Sequence, residues 1–191
     1  MESKPVRVSA IEEKTIETDV AQVELTTSFK NMQLVNARNI GEFFDHRLKF
    51  FKIDAPSIVI GTSPVNEMVL YFVDSTLARI RYTLEGDVSN HLLDSLGLSR
   101  FKPLDDRSKE LLASKNVWNR YNKKLHEDLR NYELVWRKPG SVTRFRVRKD
   151  GRDSTNTFLY YHEMQGYKET IREIETIYQV MDKQAIVYEL D

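Results

Sequence analysis

The chain contains no cysteine, which excludes disulfides, thiolate metal centres and cysteine nucleophiles. Long apolar runs are also missing. The longest, residues 68–73, has six members, against the roughly 20 needed to span a bilayer. Glycine is scarce and scattered, as Gly41, Gly61, Gly86, Gly97, Gly140, Gly151 and Gly166. A phosphate loop needs clustered glycines so that backbone amides can approach the ligand, so none is present. Neither charge sign is in excess, with 29 Lys and Arg against 29 Asp and Glu. Whole-molecule attraction to nucleic acid or an anionic membrane is therefore not built in, and such a role needs local asymmetry. No apolar segment follows Met1-Glu2-Ser3-Lys4-Pro5, so no signal peptide is expected. The protein reads as cytoplasmic if the sequence is complete, and as periplasmic if it is a mature domain with a new start methionine.

What is present is a chain of 191 residues, 40% hydrophobic and 30% charged, the composition of a folded globule large enough for one real core. Residues 1–20 form a polar, acidic lead-in expected to fray, and residues 21–191 a single α+β domain. Ala21, Val23 and Leu25 alternate with polar residues as in a strand. Ile40, Phe43, Phe44, Arg47 and Phe51 recur at helical spacing, which predicts an amphipathic helix over residues 37–50. Strands are predicted over 57–60, 67–73 and 77–84, with a tight turn at 74–76. Asp87 is placed to cap a short helix that ends at Gly97. Lys102-Pro103 and Asp105-Asp106 open another helical region, which Trp118, Tyr121, Leu125 and Leu129 continue to about 130. Strands follow at 132–137, 142–149 and 157–162, then a closing helix over 165–178 and a last edge strand at 185–190.

A helix and then three antiparallel strands thus occur twice, at 37–84 and 88–162. The expected fold class is α+β, with two helix-plus-antiparallel-meander units forming one or two sheets and helices packed on one face. This order of elements resembles the helix-plus-three-strand modules of small outer-membrane assembly lipoproteins and of the β-lactamase inhibitor proteins, with Leu34-Val35-Asn36-Ala37 standing where those families often carry a glycine-methionine-small residue signature. The resemblance implies a module that binds another protein and catalyses nothing.

Catalytic constellations are hard to assemble. Gly61-Thr62-Ser63-Pro64-Val65 lacks the second glycine of a nucleophile elbow and precedes a strand rather than a helix. His46 follows Glu42 by one turn, and His91 lies four residues after Asp87 and three before Asp94, but no second histidine stands at metal spacing. His126 and His162 have less around them. The adjacent acids Asp105-Asp106 and Glu12-Glu13 cannot face each other across a cleft, as a hydrolytic carboxylate pair must. No metal or cofactor is implied.

The chemical signature that stands out is a hairpin. Side chains alternate across a strand, so Phe145 and Val147 belong to the core while Arg144, Arg146 and Arg148 face the other way. From 137 to 152 the chain holds seven bases, Arg137, Lys138, Arg144, Arg146, Arg148, Lys149 and Arg152, against the single acid Asp150. Arg79 and Arg81 repeat the habit in the earlier meander, outside Ile80 and Tyr82, so that in a continuous sheet both rows would share one exposed surface. Arginine meets carboxylate or phosphate through a planar fork. Outward bases also keep strands soluble, and the acids among residues 163–191 offer an intramolecular counter-charge.

The function expected from the sequence is a non-enzymatic binding or interaction module that recognises a protein or a small anionic ligand through Arg79, Arg81, Arg144, Arg146 and Arg148. The alternative is an enzyme with a diffuse site of acids, tyrosines and arginines, which requires a pocket gathering titratable groups. Nucleic acid ranks third, because the aromatic-glycine strand motif of ribonucleoprotein modules is missing. Oligomeric state is left open.

Overall fold

Residues 68–73 are apolar without interruption because the strand that holds them is covered on both sides: Met68, Leu70 and Phe72 join one buried cluster, and Val69, Tyr71 and Val73 a second. The structure, a computed structural model, describes residues 25–32, 34, 36–43, 47–114, 118–119, 124–149, 156–167, 170 and 176. Its strands are β1 (Ala37–Phe43), β2 (Leu48–Asp54), β3 (Val59–Ile60), β4 (Ser63–Val73), β5 (Thr76–Leu84), β6 (Arg100–Pro103), β7 (Trp118–Asn119), β8 (Lys124–Leu125), β9 (Asn131–Lys138), β10 (Ser141–Arg148) and β11 (Thr157–Met164). One antiparallel sheet runs in the order β1-β2-β4-β5-β11-β10-β9-β6, with β3 paired to β4, while β7 and β8 form a separate ribbon. Among the described residues the helices are α1 (Ser89–Leu96) and α2 (Asp106–Ala113), beside two short 3-10 turns. None is long and apolar enough to cross a membrane.

The larger cluster gathers Leu70, Phe72, Ile80, Leu134, Phe145 and Val147 from the sheet with Leu92 and Leu93 of α1 and Leu111 of α2. Phe145 and Val147 are fully buried, as their alternation with arginine requires. Asp74 and Ser75 turn β4 into β5 with φ of +48° and +66°, the paired left-handed conformation that a two-residue hairpin loop demands. The expected helix starts hold as well. Asp87 accepts from the Ser89 amide at 2.9 Å ahead of α1, and Asp105 accepts from the Ser108 amide at 2.7 Å ahead of α2. Gly97, at φ +82°, ends α1.

One predicted helix is strand instead, and a second is cut short. The described residues of 37–50 form no helix: β1 and β2 pair as a hairpin, with Ala37 opposite Ile53 and Phe43 opposite Leu48. Because β2 is covered on both sides, Leu48 and Phe50 join one cluster while Phe51 and Ile53 join the other. Two-sided burial makes neighbouring residues apolar and imitates a helical period. Of the helical region predicted from Lys102 to about 130, Lys102 and Pro103 belong to β6, α2 ends at Ala113, and β7 and β8 follow. Leu111 and Leu129 both reach the core, from different elements. The element order behind the resemblance to the lipoprotein and inhibitor modules is therefore not the observed one. The predicted lead-in, the residues of the first predicted strand before Leu25, the edge strand at 185–190 and, apart from Thr170 and Thr176, the closing helix beyond Tyr167 lie outside the described residues.

Candidate functional site

Register brings the arginines together. Pairing of β5 with β11, β11 with β10 and β10 with β9 lays three rows across one face of the sheet. Arg79, Glu163, Val142 and Arg137 form the first row. Arg81, Tyr161, Arg144, Val135 and Arg100 form the second, and Thr83, Leu159, Arg146, Glu133 and Lys102 the third. The link is β11 beside β5, which makes the two meanders one surface. Arg79, Arg81, Arg144 and Arg146 therefore share a face, whereas Arg148 stands exposed at the strand end opposite Asn131.

That face is less open than the alternation suggests. Arg79 is 1% exposed, a correction to the expected solvent-facing row. The reason is that the face carries its own apolar cluster, Leu48, Phe50, Val69, Tyr71, Val73 and Ala78, with Met164 and Tyr167 packed against it. The guanidinium carbons of Arg79 and Arg144 lie 4.4 and 4.6 Å from the centre of the Tyr161 ring, and that of Arg146 lies at 5.8 Å. The negative face of an aromatic ring attracts such cations.

Carboxylates from within the sheet supply the counter-charge. Arg146 donates to Glu133 from Nε at 2.9 Å and pairs with it through Nη2 at 2.8 Å, and Arg144 lies 3.5 Å from the same oxygen. Arg144 also grips Glu163, at 2.8 and 2.9 Å, with Arg79 Nε 3.7 Å away. Glu67 joins Arg81 to Lys52. Burial pushes the Glu67 carboxyl up, but Lys52 and Arg81 outweigh it and hold the group below the ordinary glutamate range. Of the acids expected between 163 and 191 to neutralise the hairpin, Glu163 does so; the later ones lie outside the described residues.

Where β6, β9 and β10 meet, a hollow of about 640 Å³ opens on this face. Val135 and Val142 lie on its floor beside Arg144, Glu133 and Glu163, and Arg100, Lys102 and Arg137 stand around it, with Leu112 at the wall. The three peripheral bases are exposed. Lys102 lies 4.0 Å from Glu133, while Arg100 and Arg137 form no ion pair among the described residues. Arg137 belongs to the basic hairpin, whereas Lys102 lies where the sequence predicts the start of a helical region, and Arg100 stands just before it. Their signal was the alternation Arg100-Phe101-Lys102. Glu133 had a clearer one: with Tyr132, Leu134 and Trp136 facing the core, it must face the arginines.

A second polar cluster sits away from the hollow. Asp87 receives Lys149 at 2.6 Å and the Ser89 hydroxyl at 2.6 Å, and Tyr132 bridges to both, 2.8 Å from Ser89 and 3.3 Å from Asp87. Burial pushes the Asp87 carboxyl up, but the bonds from Lys149 and Ser89 push it further down, below the usual aspartate range. Burial raises the Tyr132 hydroxyl steeply and pushes that of Tyr160 up to about 12. A carboxylate with a lowered pKa is a weak base for the Ser89 hydroxyl it accepts from, and the bonds among Asp87, Ser89 and Tyr132 tie α1 to β9. A depressed folded pKa contributes stability that is present above about pH 4 and lost as pH falls through the folded value. Asp87→Asn is therefore expected to lower the urea midpoint at pH 7, and the gap from the parent is expected to close toward pH 2–3 in parallel urea titrations.

Among the described residues no group of three or more His, Asp or Glu side chains is placed to hold a metal ion. The Asp87, His91 and Asp94 set does not assemble, since Asp87 is engaged as above and His91 lies against Gly61 and Ser95. No protein-family model, curated protein or solved structure matches this chain.

Proposed function

We propose that the protein is a binding module for anionic groups and that the hollow between β6, β9 and β10 is its site. One observation carries this reading: four cations, Arg100, Lys102, Arg137 and Arg144, meet two carboxylates there, Glu133 and Glu163, and both are already bonded to Arg146 and Arg144. The surplus positive charge sits in a concave site, where it acts more strongly than on an open surface. Arg144 contacts the ligand. Arg79 and Arg146 serve beneath it as positioning residues that keep Tyr161 and the acids in place, while Arg81, held by Glu67, and Arg148 lie outside the hollow.

Calorimetric titration with citrate tests the reading. Citrate is expected to bind more weakly as salt rises, and combined Arg100→Gln, Lys102→Gln and Arg137→Gln substitutions are expected to weaken it by about tenfold or more, as lost charge-assisted bonds would. Arg148→Gln is expected to leave it unchanged. Citrate that fails to bind, or binds the triple variant as it binds the parent, would overturn the proposal.

A further inference from the structure

We infer that the hollow takes an extended, glutamate-bearing segment of a partner protein, with its carboxylates on alternate residues; this rests on the anion-binding reading above. Arg100 and Lys102 are two positions apart on β6 and point to the same face, about 7 Å apart along the strand. Arg100 lies opposite Val135 and Arg137 is two positions beyond Val135 on β9, a diagonal separation of about 7–8 Å. The peripheral cations thus stand in a slanted row with a nearly constant step.

That step is the repeat of an extended chain, in which every second side chain projects to the same side about 7 Å further on. Three acids on alternate residues meet Lys102, Arg100 and Arg137 in turn. Val135 and Val142 on the floor receive the methylene stems of glutamates, one carbon longer than that of aspartate. Among the described residues β6 has no strand on its outer side, so a chain can enter across that edge. Single-stranded nucleic acid has a comparable phosphate spacing, but it needs aromatic platforms for its bases. The ring at this site, Phe101, is already stacked on Tyr132 with centroids 5.5 Å apart.

The test is fluorescence anisotropy with a labelled pentapeptide alternating glutamate and valine, acids at both ends and in the middle. Its control has the same composition with the three glutamates in succession. Consecutive acids point to opposite sides, so the control presents two carboxylates to the row where the alternating peptide presents three. The alternating peptide is expected to bind about tenfold more tightly, the margin of one charge-assisted contact, and to lose that margin in Arg137→Gln. Equal affinity for the two peptides, or tighter binding of an oligothymidylate of similar length, would overturn this inference while citrate binding left the anion-binding module standing. Failure of citrate and both peptides together would overturn both.

Discussion

Glu133→Ala is expected to destabilise the protein by about 3 to 5 kcal/mol, the cost of stranding buried charges whose partner has been removed. Glu133 is 2% exposed, and its carboxylate holds Arg146 at 2.8 Å and Arg144 at 3.5 Å. Truncation removes one negative charge from a site where three guanidinium groups already crowd the Tyr161 ring. Arg144 retains Glu163, so most of the loss falls on Arg146. The double substitution Glu133→Leu with Arg146→Met is expected to recover most of the stability, because a buried ion pair and an apolar pair of similar volume differ little once desolvation is counted. Urea unfolding of the parent, the single and the double variants decides the matter. If the single variant lies within 1 kcal/mol of the parent, the network is not what holds this face. A surface pair supplies the contrast. Arg107 and Asp128, both about half exposed at 3.5 Å, are expected to matter by no more than about 0.5 kcal/mol.

How far the sequence disclosed this molecule depended on whether a strand had one buried face or two. Strands β9 and β10 alternate Tyr132, Leu134 and Trp136, or Phe145 and Val147, with mostly polar neighbours, so their period of two could be read directly. Turn chemistry at Asp74-Ser75 and the caps at Asp87, Gly97 and Asp105 were equally local and equally legible. Strand β2 was not, since Leu48, Phe50, Phe51 and Ile53 serve two clusters at once. For the site, alternation named the arginine face but could not say that Arg79 is buried, because that follows from the apolar cluster and the Tyr161 ring that neighbouring strands bring beside it. The hollow needed the sheet order itself. Arg100 and Lys102 are more than thirty positions from Arg137 and become its neighbours only because β6 pairs with β9.

Phe145→Ala is the second change expected to have a large effect, about 3 to 5 kcal/mol, the range for truncating a buried phenylalanine. Phe145 is fully buried on a strand paired on both sides, opposite Tyr160 and Leu134, where backbone hydrogen bonds restrict collapse around the cavity. Phe145→Leu, which keeps most of the volume, is expected to cost less than about 1.5 kcal/mol. Equal losses for the two variants in urea unfolding would mean that the site can collapse and that packing at β10 is loose. The neighbours of Phe145 give the measurement a second use. Arg144 and Arg146 leave the same strand on the opposite face, so whatever displaces β10 also displaces the guanidinium groups that hold Glu133 and Glu163. Citrate affinity is therefore expected to fall in Phe145→Ala even under conditions where that variant remains folded, and to be nearly unchanged in Phe145→Leu. An affinity untouched by Phe145→Ala would mean that the cations at the rim, Arg100, Lys102 and Arg137, bind without the ordered floor beneath them.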